Sequence, residues 1–240
     1  MSRLSKPWRL IRFTREFRRF AMLHRLQRPD LRLEWRDRWP RLNDRTEHLP
    51  FDAHYIYHTA WAARVLAMTK PARHVDISSL AYFSTLCSAF VPIEFYDFRP
   101  AGIVLSNLAC GAADLCNLQF KDRSLPSLSC MHTIEHIGLG RYGDPLDASG
   151  DLRALSELQR VLAPGGSLLI VVPVGRPRVQ YNAHRIYDPQ SIESSLSELR
   201  LESWSLLPDE SAGGLVENAT RDMALQQSYG CGCFHFVRRV

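Results

Sequence analysis

From residue 74 onward the chain alternates between two hydrophobic patterns. Short apolar runs of strand length, such as His74-Val-Asp-Ile-Ser78, Ile93-Glu-Phe-Tyr-Asp97 and Ser167 to Val174, are separated by stretches whose apolar residues recur every three or four positions. Leu128 to Gly175 holds one full unit: a buried-type strand over 127–132, a helix over 151–162 with Leu152, Leu155, Leu158 and Leu162 on one side, the tight turn Ala163-Pro-Gly-Gly166, and a second strand over 167–174. That is a βαβ unit, the building block of a parallel sheet covered by helices. Its polar residues His132, Glu135 and His136 fall where the first strand runs out, the edge at which open α/β sheets bind ligands.

The same reading predicts a helix over 51–68, ended by Lys70-Pro71, and a helix over 79–90 with Ser78 or Ser79 as N-cap. It predicts a third strand over 104–108, a loop over 114–120, a helix over 192–199, a sixth strand over 200–207 and an alternating edge strand over 233–239. The fold class is α/β: a mostly parallel sheet with an antiparallel last strand and helices on both faces.

Residues 2–28 have a different pattern. Arginines alternate with Leu4, Trp8, Ile11, Phe13, Phe17, Phe20, Leu23 and Leu26, an apolar stripe on a basic helix. Residues 29–50, with Pro29, Pro40 and Pro50, read as a connector. Residues 1–50 carry thirteen arginines and one lysine against six acids, net +8, while the remaining 190 are net −3. The expected division is therefore a basic helical arm and connector over 1–50 and an α/β domain over 51–240. Such an arm suits either an anionic membrane surface or packing on the domain or an assembly partner. No nucleic-acid-binding module accompanies the charge. The six cysteines sit mostly in apolar contexts with no CxxC pair, which reads as reduced thiols in the cytosol, and Cys231-Gly-Cys233 is a weak metal signal. No apolar run reaches the roughly 20 residues of a membrane span.

Two phrases, Thr133-Ile-Glu-His-Ile137 and Leu155-Ser-Glu-Leu-Gln-Arg-Val-Leu-Ala-Pro-Gly-Gly166, give residues 70–240 a resemblance to the class I S-adenosylmethionine-dependent methyltransferases. A narrower resemblance is to methyltransferase-like proteins of bacterial surface-polysaccharide gene clusters. It rests on His74 to Ser79, Tyr96 to Pro100, Ser129 to His132, Gly138 to Pro145 and Asn182 to Tyr187.

The resemblance implies S-adenosylmethionine as cofactor and a sugar or glycan intermediate as acceptor; the cysteine usage and the basic arm point to a cytoplasmic protein whose arm can touch the inner face of the membrane. It places Asp76 at the opening of the cofactor loop, Asp97 at the ribose hydroxyls and Asp114 near the adenine amine. Where the family has Asp-x-Gly-x-Gly, this chain reads Asp76-Ile-Ser-Ser-Leu80. The β-carbons of Ser78 and Ser79 crowd the cofactor's approach, while their hydroxyls could hold its carboxylate. The alternative is a catalytically inactive methyltransferase-fold scaffold in polysaccharide assembly.

Methyl transfer to a hydroxyl needs a proton acceptor, and His132 and His184 are the candidates. Arg141, Tyr142 and Arg185 are the candidate substrate contacts. His132, Glu135 and His136 read first as structural, second as substrate or base residues and third as a metal site, so no metal ligand is assigned.

Overall fold

The computed structural model describes residues 6–240. The chain divides after Phe51 into two compact units. In the first, helix α1 (Lys6–Gln27) is followed by an irregular segment with one short 3-10 turn, Trp35–Asp37. That segment folds back on α1: the Trp35 ring meets Phe13 at 6.2 Å and Phe17 edge-on at 4.9 Å, and Arg45 reaches Glu16 at 3.2 Å. Trp8, Ile11, Phe20 and Leu26 of the apolar stripe stay exposed. Leu4, the start of the predicted stripe, lies outside the described residues. No described helix is long and apolar enough to cross a membrane.

The second unit is a three-layer sandwich. Helix α2 (Ala53–Thr69) begins on Asp52, whose carboxylate accepts the Tyr55 amide, and ends where Lys70 turns left-handed. Strands β1 (His74–Ile77), β2 (Ile93–Asp97), β3 (Leu108–Ala112), β4 (Leu125–Met131), β5 (Leu162–Val174), β8 (Leu199–Leu207), β9 (Val216–Glu217) and β10 (Gly230–Arg238) form one sheet in the order β3-β2-β1-β4-β5-β10-β8-β9. The first five pair in parallel and β10 runs antiparallel to both neighbours. A small hairpin of β6 (Arg178–Gln180) and β7 (His184–Ile186) stands apart. α2 and α3 (Ala81–Cys87) cover one face, around Phe83, Leu66 and Val171. α4 (Gly150–Val161) and α5 (Pro189–Ser195) cover the other, with Leu155, Leu158 and Phe234 at its centre. A last short helix, α6, spans Arg221–Leu225.

Several expected bounds shift for identifiable reasons. The third strand is at 108–112 rather than 104–108; Val104 is 94% exposed, so its apolar side chain marks a loop. α3 starts at Ala81, and neither serine caps it. Ser79 Oγ instead accepts the Met131 amide at 3.0 Å, bracing the end of β4. The Pro-Gly-Gly segment runs as part of β5, with Gly165 at φ +70° and a register shift against β4. α5 starts three residues before the expected 192, because Asp188 caps it and Pro189 opens it. β10, read as an edge strand, is interior, and its residues are nearly all buried.

Strands β1 and β4 are neighbours whose successors, β2 and β5, lie on opposite sides. This is the switch point at which an open sheet leaves a crevice at its carboxyl edge.

Candidate active site

A cavity of about 220 Å³ lies at that crevice, lined by the ends of β1, β2 and β4 and by the loop after β3. Ser78, Asp97 and His132 also line an adjoining cavity of about 400 Å³, and His132, His136 and Tyr142 a third of about 530 Å³. Single ligand sites usually need 300 Å³ or more, so the first two, which share five residues, make one site of sufficient size together.

Asp97 ends β2 at the rim of the first two cavities. Its Oδ1 accepts the Arg99 amide at 2.8 Å, and Oδ2 has no donor among the described residues. Asp114 has the same arrangement, with Oδ1 taking the Cys116 amide at 2.8 Å. Each local turn spends one oxygen and leaves one for a ligand. Leu115, Ala113 and Ile137 supply apolar wall between them.

Asp76 is placed elsewhere. It is fully buried and lines none of these cavities. Ser129 Oγ donates to its Oδ1 at 2.5 Å, and Ser84 Oγ to its Oδ2. Burial pushes its carboxyl up to about 6, against the pull of the serine hydroxyls. The expectation of a cofactor contact at Asp76 gives way to a brace between β1, β4 and α3.

Ser78 is at φ +56°, the left-handed region that glycine enters freely. Its amide donates to Tyr96 O at 2.6 Å, and its carbonyl accepts the Thr133 hydroxyl at 2.8 Å. The loop backbone therefore takes a left-handed turn at the first position where the methyltransferases it resembles carry glycine, at a cost of about 1–2 kcal/mol for a residue with a β-carbon. Ser79 is buried on Met131, and its flank lines only the second cavity. A left-handed turn, a one-sided Asp97 and an apolar wall fit a nucleoside cofactor of the adenosylmethionine kind.

Behind the crevice stands a cluster of histidines. His132, 8% exposed and at φ +53°, holds Glu135 Oε1 with Nδ1 at 2.9 Å, while its Nε2 faces Cys231 Sγ at 3.5 Å. Burial opposes charge on His132, but the Cys231 sulfur and the Glu135 carboxylate raise it above 6.5. Burial holds the Cys231 thiol far above its usual range. His54 and His58, one turn apart on α2, pack against the His132 ring at 5.3 and 5.0 Å. Burial first, then the His132 charge, lowers them to about 4 and about 3.

His136 differs. Its Nδ1 donates to Ala183 O at 2.6 Å, so Nε2 is the unprotonated nitrogen and lies 3.8 Å from Glu135 Oε1; burial lowers its basicity despite Glu135, and the residue borders both the first and third cavities. His184, on β7, donates Nε2 to Gln180 Oε1 at 2.6 Å and lines the third cavity, where burial also lowers it. Tyr229 stacks on His54 at 4.9 Å and meets the tilted His184 ring at 4.7 Å.

Of the expected substrate contacts, Arg141 and Tyr142 line the third cavity, with Tyr142 also under the Arg99 guanidinium at 4.7 Å. Arg185 does not reach it. The residue is 6% exposed, and its guanidinium is spent on the carbonyls of Ile137 (2.7 Å), Ala148 (3.2 Å) and Asp147 (3.3 Å) and on Asp151 (3.4 Å).

The architecture matches solved structures at low sequence identity. The N-methyltransferase NodS from Bradyrhizobium japonicum WM9, solved with S-adenosyl-L-homocysteine, superposes with a TM-score of 0.54 at 13% identity, covering 78% of this chain and 89% of that one. A SAM-dependent methyltransferase from Thermotoga maritima gives 0.50 at 16%, over 77% and 91%. This domain has the class I methyltransferase fold. The [4+2]-cyclase SpnF shares it too, with a TM-score of 0.51 at 14% identity over 75% of this chain and 82% of that one, so the methyltransferase fold does not by itself fix the reaction. A family model described as Caenorhabditis protein of unknown function, DUF268, matches residues 117–197. No curated protein matches in sequence.

Proposed function

We propose that the chain is an S-adenosylmethionine-dependent methyltransferase whose acceptor is a hydroxyl of a sugar or glycan intermediate. The observation that carries this reading is that one crevice is lined both by Asp97, which keeps an uncommitted oxygen, and by His136, whose Nδ1 is fixed on Ala183 O. S-adenosylmethionine supplies an electrophilic methyl group when bound. Asp97 would hold the ribose hydroxyls, Asp114 the adenine amine, and the Ser78 turn the amino-acid end.

The third cavity suits a carbohydrate. Tyr55, Tyr142 and Tyr229 offer flat apolar faces, while Asp52, Arg141 and His184 offer polar groups around them. His136 accepts the acceptor's proton: its Nδ1 bond to Ala183 O fixes the tautomer, and its lowered basicity keeps Nε2 bare at neutral pH. His132 suits that role less, because both of its ring nitrogens are already engaged. Calorimetry with S-adenosylmethionine and S-adenosylhomocysteine tests the reading; no binding of either at millimolar concentration overturns it.

Ser78 favours the second reading, a cofactor-free scaffold in polysaccharide assembly, since a β-carbon stands where the related loop has glycine. On either reading the net charge of the arm and the exposed Trp8, Ile11 and Phe20 of α1 support peripheral contact with an anionic membrane face, in a cytoplasmic protein. Deleting residues 1–28 should abolish sedimentation with anionic vesicles; unchanged sedimentation removes that role.

A further inference from the structure

We propose that His54, His132 and Cys231 bind a transition-metal ion, zinc by their ligand chemistry. The three come from α2, the end of β4 and β10, so the fold, not local sequence, assembles them. One ligand atom from each lies within 4.8 Å of the other two. The Cys231 Sγ to His132 Nε2 distance is 3.5 Å. Tetrahedral zinc with its usual sulfur and nitrogen bond lengths puts such a pair about 3.6 Å apart.

The surroundings are those of a ligand set. A metal-bound histidine usually gives its other ring nitrogen to a carboxylate or a backbone carbonyl, which fixes its tautomer. His132 gives Nδ1 to Glu135 at 2.9 Å, and the His54 ring bonds the Tyr229 backbone. A divalent ion with one thiolate and the Glu135 carboxylate sums to zero charge, which suits a site where Cys231 and Glu135 are both fully buried.

A second, independent feature points to the same place. His58 is 0% exposed; its Nδ1 donates to His54 O at 2.7 Å, and Nε2 has no hydrogen-bond partner among the described residues. A buried bare lone pair costs about 1–3 kcal/mol. This one belongs to a ring packed edge-on to His132. Imidazole with thiolate selects zinc or copper over magnesium and calcium.

The test uses the full-length protein stripped with chelator and titrated with Co²⁺ alone, then Zn²⁺ alone. Wild type should bind one equivalent of Co²⁺ with a sulfur-to-cobalt charge-transfer absorption that Zn²⁺ abolishes, and Zn²⁺ should raise its Tm. Cys231→Ser should lose the charge-transfer absorption. His54→Gln, at a partly exposed helix position, should keep the fold by circular dichroism and bind at least about tenfold more weakly. Absence of a charge-transfer absorption in the wild type, or affinity unchanged in both variants, overturns the proposal. Metal binding and cofactor binding are read by separate titrations, so either can fail alone.

Discussion

Ser78 and His132 end adjacent parallel strands with the same left-handed backbone, φ +56° and +53°. Neither is glycine, and both line the crevice. Strain of this kind persists where the surroundings over-determine it, and Thr133 Oγ1 on Ser78 O ties the two turns together. Ser78→Gly removes the β-carbon and the left-handed penalty but adds the unfolded-state entropy of glycine. The variant should therefore lie between unchanged and about 1 kcal/mol more stable in urea unfolding. If the β-carbon crowds the cofactor, S-adenosylhomocysteine should also bind about threefold tighter or better by calorimetry. Weaker binding would show that the hydroxyl is itself a contact.

Asp97 gives the most direct measure of the cofactor site. Its Oδ1 serves only the Arg99 amide in an exposed turn, so Asp97→Ala should fold with a near-unchanged Tm. A carboxylate that accepts from ribose hydroxyls contributes about 1.5–3 kcal/mol per bond. The variant should therefore lose at least about thirtyfold in affinity for S-adenosylhomocysteine. Equal affinities would move the ribose away from β2.

These two residues were legible in the sequence because each ends a strand, and strand ends are fixed by local pattern. Asp76 satisfied the same rule and lies in the interior, since nothing local shows that Ser84 and Ser129 fold onto it. The sheet itself was legible from the alternation and from Pro164-Gly-Gly166. β10 was misread as an edge because small residues at Gly230, Cys231 and Gly232 weaken the apolar signal of a strand flanked on both sides. The histidine cluster was not legible as a cluster: His132 and Cys231 are 99 positions apart and meet only through pairing of β5 with β10. The one local clue was the four-residue spacing of His54 and His58, which helical periodicity alone also explains.

The buried chain from Ser127 through His74 and Ser129 to Asp76 predicts an unusual pH response. His74 holds Ser127 Oγ at 2.7 Å and Ser129 Oγ at 2.9 Å, and burial lowers it from 6.5 to about 3. Its neutral form stabilises the fold above pH 6.5, and that contribution is lost as pH falls toward 3. Asp76, raised by burial from 3.8 to about 6, does the reverse: its contribution is full below 3.8 and lost as pH rises through 6. Between about pH 4 and 6 the two slopes oppose each other. Asp76→Asn removes one of them, so its stability should fall more steeply with acid than wild type, by up to about 1.4 kcal/mol per pH unit. Urea unfolding at several pH values measures this, and parallel curves would mean that Asp76 titrates normally.

Arg185 separates a structural from a substrate role. It was expected to contact substrate, and the structure gives it Asp151 and the carbonyls of Ile137, Asp147 and Ala148, which belong to the glycine-rich rim and the start of α4. Tyr187 Oη donates to the same Asp151 at 3.0 Å, so one buried carboxylate anchors β7 and its neighbour to α4. Lysine keeps the charge but not the planar fork, and it would leave at least two of these carbonyls unpaired. Arg185→Lys should lose about 2–4 kcal/mol in urea unfolding. S-adenosylhomocysteine affinity should change little, because Asp97 lies on the far side of the crevice on β2. A substrate-binding arginine would give the opposite result, with unchanged stability and a raised KM for the acceptor.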